Sequence, residues 1–321
     1  MRTRTLGRSG LQVSELGVGC NNFGGILDET ATRAVVDAAL DAGIIFFDTA
    51  NTYGNRGGSE TLLGKSLGAR RPEVILATKF GSIMRDGDRY DASRRYILQA
   101  VDASLARLGT DWIDVYYLHW PDPLAPMEET LRALDDLIRA GKVRYIGACN
   151  LAAWQLVDAT WIARELGLNH FICAQNEFSL VERGAERALL RALAAHGLGM
   201  VPYFPLGSGL LTGKYRRDQA PPDGSRFGTG RRALGPLFLT SANWDLVEEL
   251  QAWCGARGCS LIELALAWLL MHPEVASVIA GATPPAQIEQ NAAAAAWQLD
   301  AEAKTELQVL LERHPRSGRG Q

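Results

Sequence analysis

Four side chains able to share one proton transfer stand at or just after the ends of apolar runs. Asp48 closes the apolar part of IIFFDTANTYG (44–54), and Tyr53 follows five positions later. Lys79 lies near the end of VILATKF (74–80), and His119 near the end of IDVYYLHW (113–120). A free phenol titrates at about 10, too high for easy proton transfer at neutral pH. A lysine cation beside it favours the phenolate and lowers that value. A buried lysine needs an anion to stay charged, and Asp48 can supply one. His119 can donate a hydrogen bond to a carbonyl oxygen and orient it. The set reads as a general acid, Tyr53, with two tuning partners and an electrophilic hydrogen-bond donor. It suits protonation of an oxygen that gains charge as hydride arrives at carbon. None of the four can donate hydride, so that task falls to a nicotinamide cofactor. Each residue alone has a plainer reading, as a helix cap or a structural polar group. Their grouping on three successive runs favours the joint one.

Such a set needs a frame that brings distant residues to one rim. Eight short apolar runs recur along the chain: 16–20, 44–50, 74–80, 113–120, 143–150, 171–178, 200–206 and 275–282. Amphipathic segments alternate with them. TRAVVDAALDAG places Val35, Val36, Ala39 and Leu40 on one face and ends at Gly43. The segment from Ser93 carries Ile97, Val101, Leu105 and Leu108 and closes at Gly109; the one with Leu131, Leu134, Leu137 and Ile138 closes at Gly141. Continuous apolar strands between helices predict a parallel sheet buried on both faces. Eight such units predict a (β/α)8 TIM barrel, whose active sites lie at the C-terminal ends of the strands. An open doubly wound sheet would carry a G-x-G-x-x-G turn after an early strand. None is there, and GTGRRALG (228–235) sits in a polar loop. TRTLGRSGLQVS predicts an N-terminal β-hairpin turning at Arg8-Ser9-Gly10 and plugging the barrel bottom. A long Arg-, Gly- and Pro-rich loop follows the seventh strand at 215–240, of a length often used as a lid.

The 321 residues read as one barrel domain with a flexible tail at 315–321, at a net charge of -3. No long charged run points to nucleic acid. No apolar stretch reaches the ~18–20 residues of a membrane span, and the N-terminus lacks a signal-peptide core. The expected compartment is therefore cytoplasmic. Five cysteines without a C-x-x-C pair predict reduced thiols and no metal site. The oligomeric state is left open.

FFDTANTYG, LATKF, YYLHWPDP, LRALDDLIRAGKVRYIGACN, AQNEFSL and PLGSGLLTGKY, in this order, resemble the aldo-keto reductases over nearly the whole chain. The likeness is nearer to microbial and potassium-channel β-subunit-like members than to the aldose reductase branch. It implies NADPH-dependent reduction of aldehydes or ketones, with Tyr53 as proton donor, Asp48 and Lys79 tuning it and His119 orienting the carbonyl. It further implies that Asn150, beside Cys149, and Gln175 bind the nicotinamide carboxamide and that Tyr203 stacks under the ring. The 207–214 loop, with Leu206, Gly209, Leu210 and Lys214, would wrap the pyrophosphate. Gly281, Thr283, Gln287, Gln290 and Asn291 would hold the adenosine end. Phe23, Trp120 and the 84–90 loop would line the substrate pocket.

Three departures from that pattern matter. Cys149 replaces a usual Ser, and its oxidation would slow turnover. Phe204 replaces a Ser that contacts phosphate. Thr283-Pro284-Pro285 stands where relatives carry an Arg or Lys for the 2′-phosphate, which keeps NADH or dual use open beside NADPH. The substrate is a small carbonyl compound or, in the oxidative direction, a sugar or alcohol. Rival readings are a nucleotide-sensing regulatory subunit and a Schiff-base aldolase using Lys79. A metal hydrolase lacks an H-x-H arrangement at His119.

Overall fold

The computed structural model describes residues 1–84, 88–230 and 234–314. Part of the 84–90 loop and the 315–321 tail therefore lie outside the described residues. The chain opens with a hairpin, β1 (Thr3–Thr5) and β2 (Gln12–Ser14), paired antiparallel. The parallel strands are β3 (Leu16–Gly19), β4 (Phe46–Asp48), β5 (Ile75–Phe80), β6 (Ile113–Leu118), β7 (Val143–Cys149), β8 (Cys173–Gln175), β9 (Gly199–Met200) and β10 (Val278–Gly281). Seven successive parallel pairings link them in the order β10-β3-β4-β5-β6-β7-β8-β9. The ends meet where Met200 bridges Val275 and Ile279 N–H donates to the Pro202 carbonyl at 3.0 Å. This closes the expected (β/α)8 barrel. β9 is shorter than the predicted 200–206 because Pro202 and Pro205 have no N–H to offer the ladder.

Helices α1 (Glu29–Asp41), α2 (Tyr53–Leu67), α3 (Arg94–Leu108), α4 (Met127–Arg139), α5 (Ala153–Glu165) and α6 (Leu189–His196) follow successive strands. A short α7 (Gly235–Phe238) precedes α8 (Ser241–Arg257) and α9 (Leu261–Leu270), and α10 (Pro285–Ala294) and α11 (Ala301–Glu312) complete the shell. Local chemistry sets several ends. The Asp28 carboxylate accepts from Ala31 N–H and the Ser93 hydroxyl from Tyr96 N–H, while Gly109 ends α3 at φ 63°. Among the described residues no single helix is long and apolar enough to cross a membrane.

Two apolar layers form the core. Leu6 and Val13 of the hairpin pack inside the barrel with Phe46, Ala77, Val115, Tyr117 and Val201, filling its bottom as predicted. Gly147 has no side chain because a Cβ there would lie 2.4 Å from the Tyr117 ring. The larger outer layer joins the opposite strand faces to the helices. The long loop after β9 is anchored by aromatic packing: Tyr215 on Phe227 at 4.9 Å, Phe227 on Phe238 at 5.9 Å and Phe204 on Phe238 at 6.0 Å.

Candidate active site

Alternation along the strands decides which side chains enter the barrel. Phe46, Ala77, Tyr117 and Cys173 face inward. Asp48, Lys79, His119 and Gln175 lie two residues beyond each of these, on the same face at the C-terminal mouth. Four separate stretches of sequence thus converge.

Lys79 is fully buried. Its Nζ donates to Asp48 Oδ1 and, at 2.8 Å, to the Thr49 carbonyl. Asp48 Oδ2 accepts from Gln175 Nε2 at 2.9 Å, so both carboxylate oxygens are engaged. Lys79 Nζ stands 5.0 Å from the Tyr53 ring centroid. The Tyr53 and His119 rings stand edge to face with their centroids 5.8 Å apart.

The electrostatics correct one expectation. Burial opposes the Lys79 ammonium, but Asp48 and then Tyr53 outweigh it and hold its pKa above the ordinary value. At Tyr53, burial raises the pKa more than Lys79 lowers it, and Asp48 and Cys149 add to the rise. The phenol therefore titrates above its ordinary value, not below it as the lysine alone predicts, and is a protonated acid at neutral pH. Burial, followed by the Lys79 charge, pushes His119 well below its ordinary value. Its imidazole is neutral, and its buried Nδ1 has no partner among the described residues.

Tyr53 is set by an uncommon turn. Gly54, Asn55, Arg56 and Gly57 all take positive φ before regular helix resumes. A Cβ on Gly54 would lie 2.3 Å from the Phe23 carbonyl oxygen, so this position requires glycine. Asn55 Nδ2 donates to the Gly24 carbonyl at 3.4 Å, and Ser59 Oγ to the Cys20 carbonyl at 2.7 Å. Behind the turn, buried Glu60 accepts from Thr78 Oγ1 and from Arg107 Nε, both at 2.6 Å. This ties the Tyr53 turn to the strand that carries Lys79.

Asn150 and Tyr203 stand at the strand ends beside His119. Cys149 is buried at the end of β7. Asn150, at φ 60°, donates from Nδ2 to the His119 carbonyl at 2.9 Å and accepts from the Tyr203 hydroxyl at 2.9 Å. In the segment Gly207–Thr212, Gly207, Ser208 and Gly209 all have positive φ, which folds the backbone back on itself. Leu206 flanks this segment, and the Leu210 side chain is buried in the core. Lys214 Nζ lies 3.6 Å from the Cβ position of Gly209. Across the rim Gly281 is exposed, and Gln287 Oε1 accepts from Thr283 N–H at 2.9 Å. Gln290 is exposed and Asn291 buried. Trp120 is partly open and stacks on Tyr90 at 5.8 Å. Phe23 is 0% exposed and belongs to the core, so it does not line an open pocket as expected.

One residue escaped the sequence reading. Arg226 Nη1 donates to Ser208 Oγ at 3.4 Å, its guanidinium lies 5.5 Å from the Phe204 ring centroid, and its Nη2 comes 3.9 Å from the Cβ position of Gly281. It joins the 207–212 segment to the end of β10. The residues present fit a dinucleotide: left-handed backbone, Lys214 and Arg226 at one end, a neutral orphaned imidazole at the other. An Arg within a Pro- and Gly-rich loop was the available signal, but sequence spacing does not say where so long a loop returns.

The model of the aldo/keto reductase family matches residues 15–312. The chain is similar to a rice (Oryza sativa subsp. japonica) protein named as a probable voltage-gated potassium channel subunit beta, 38% identical over 297 residues, 91% of this chain and 90% of that one. It is similar to L-glyceraldehyde 3-phosphate reductase of Escherichia coli (strain K12), 36% identical over 301 residues, 91% and 86% of the two chains. It is also similar to the uncharacterized oxidoreductase YrpG of Bacillus subtilis (strain 168), 37% identical over 308 residues and 92% of each chain. Likeness of this extent, over the residues that build the barrel and its mouth, means that the chain belongs to the aldo/keto reductase family.

Proposed function

We propose that this protein reduces aldehydes or ketones with a nicotinamide cofactor, NADPH preferred, and that Tyr53 is the proton donor. One observation carries the reading: the Tyr53 ring lies 5.0 Å from the Nζ of buried Lys79, which Asp48 holds charged, and 5.8 Å from the His119 ring, whose pKa burial lowers. Bound reduced nicotinamide would supply hydride to the carbonyl carbon. His119 donates a hydrogen bond to the carbonyl oxygen and orients it. Tyr53 gives its proton to that oxygen as negative charge develops there. Lys79 stabilises the phenolate left behind, and Asp48 keeps Lys79 charged. Asn150 and Gln175 hold the carboxamide, Gln175 through its amide oxygen, and Tyr203 supports the ring. The 207–214 backbone, Lys214 and Arg226 meet the phosphates, with Arg226 supplying the cation that Thr283-Pro284 lacks. Thr283, Gln287, Gln290 and Asn291 hold the adenosine end.

The test is reduction of 4-nitrobenzaldehyde with NADPH and NADH side by side, followed by near-ultraviolet absorbance, in wild type and Tyr53→Phe. Wild type oxidises NADPH faster. The variant loses on the order of 10²-fold or more, as for a removed general acid, while cofactor fluorescence still reports binding. Variant activity within about threefold of wild type removes Tyr53 as the acid. The likeness to a protein named as a channel subunit favours a second reading, a nucleotide-sensing regulatory subunit. Slow turnover of every carbonyl with tight cofactor retention would select it. Brisk oxidation of a sugar or alcohol would instead select the same machinery run in reverse.

A further inference from the structure

Three of the five cysteines are closed to reagents. Cys20, Cys149 and Cys173 lie inside or against the barrel at 0, 1 and 0% exposure, and burial raises the pKa of each thiol. Cys149, the thiol whose oxidation the sequence suggested would slow turnover, is among them. The other two occupy the junction of α8 and α9, outside the catalytic mouth.

There Gly258, at φ 67°, ends α8, and its N–H donates to the Cys254 carbonyl. Cys259 N–H donates to the same carbonyl at 3.2 Å. A bond from the second residue past the end back to the last turn marks a Schellman-type end, which brings those two side chains together. The contact is usually apolar. Here both positions, the last-turn residue and the second residue past the end, carry thiols. Ser260 then caps α9: its N–H donates to Glu263 Oε2 at 2.7 Å and its Oγ accepts from Glu263 N–H at 3.2 Å. Cys259 is thus held between two fixed helix ends. Cys254 is 3% exposed, whereas Cys259 is partly open.

We propose that Cys254 and Cys259 form a redox-modifiable dithiol that closes to an intrachain disulfide when the protein meets a small disulfide oxidant of the glutathione type. Accessibility fixes the order of events. The Cys259 thiolate attacks one sulfur of the oxidant, its S–S bond breaks, and one small thiolate leaves and takes up the released proton. Cys254 then gives up its proton, and its sulfur attacks the Cys259 sulfur of the mixed disulfide, expelling the second small thiol. The two protein thiols lose two electrons and two protons, and the oxidant is reduced to two thiols. Cys254 needs no solvent access, because its target is the neighbour that the helix end sets beside it. Burial raises both thiols, most at Cys254, where the pKa lies well above the ordinary value. The first step is therefore slower than at an activated thiol.

The experiment incubates the full chain with glutathione disulfide, denatures it, alkylates free thiols and maps every cysteine by peptide mass. In wild type, Cys254 and Cys259 are expected linked, two hydrogens lighter and unalkylated, with Cys20, Cys149 and Cys173 fully alkylated. In Cys254→Ser, a stable glutathione adduct is expected on Cys259; in Cys259→Ser, Cys254 stays free. Wild type that keeps glutathione on Cys259 overturns the proposal, because the resolving thiol is then out of reach. So do two alkylated thiols at 254 and 259 under conditions that oxidise a cysteine peptide.

Discussion

Replacing Lys79 by Met removes a cation 5.0 Å from the Tyr53 ring centroid. At that separation and an effective dielectric of ~20, the charge is worth about 3 kcal/mol to the phenolate, or about two pKa units. Reduction needs the protonated phenol, so activity is complete below the Tyr53 pKa and is lost as pH rises through it. Without the cation the pKa rises, and the alkaline limb of the kcat profile moves upward by about two units. The phenol also becomes a weaker acid. If the transition state carries the full phenolate charge, kcat at neutral pH falls about 100-fold, and about tenfold if half the proton has moved. Met alone leaves the Asp48 carboxylate buried and unpaired, at a stability cost of about 3–5 kcal/mol. The double variant Asp48→Asn/Lys79→Met removes both charges together. Because Lys79 acts on Tyr53 more strongly than Asp48 does, the limb of the double variant is expected between those of wild type and Lys79→Met. The assay is kcat for aldehyde reduction at saturating NADPH, from neutral to strongly alkaline pH. Limbs at the same pH in all three proteins would refute the claim that Lys79 sets the acidity of Tyr53.

Two further outcomes follow from the same geometry. Arg226→Ala is expected to raise the KM for NADPH about 10- to 100-fold, the loss of a charge-assisted contact, and to raise that for NADH less. Equal losses would place Arg226 on the pyrophosphate instead, and no change would remove it from the site. His272 packs against Trp268 at 5.1 Å and Phe178 at 5.3 Å, and burial lowers its pKa to about 4. The unfolded chain binds this proton more readily, so stability is full above about 6.5 and is lost as pH falls from there to about 4. His272→Phe is expected to spare about 3 kcal/mol of that acid loss in urea titrations at several pH values, and identical losses would show that His272 is not held neutral.

The apolar runs of the chain and the helical segments between them were enough to determine the barrel, its hairpin plug and the four polar side chains at its rim. Inward positions two residues apart on successive strands follow from backbone pleat alone, whatever surrounds them. Asp48, Lys79 and His119 were legible because each stands near the end of an apolar run, and the strand-end positions of Asn150 and Gln175 agreed with the family resemblance. What depends on enclosure was not legible. The direction of the Tyr53 shift is set by burial of the phenol, which outweighed the lysine that its place near a strand end made prominent. Phe23 reads as a pocket residue beside a glycine-rich turn, yet the close approach of Gly24 and Gly54 seals it into the core. Arg226 lies 55 residues before Gly281 in sequence and is brought to it only by the anchored fold of a long loop, whose return path depends on Tyr215, Phe227 and Phe238 finding one another. Local periodicity placed the strands and their polar ends. The electrostatics and the cation opposite Gly281 came from contacts between distant segments, which one-dimensional spacing does not contain.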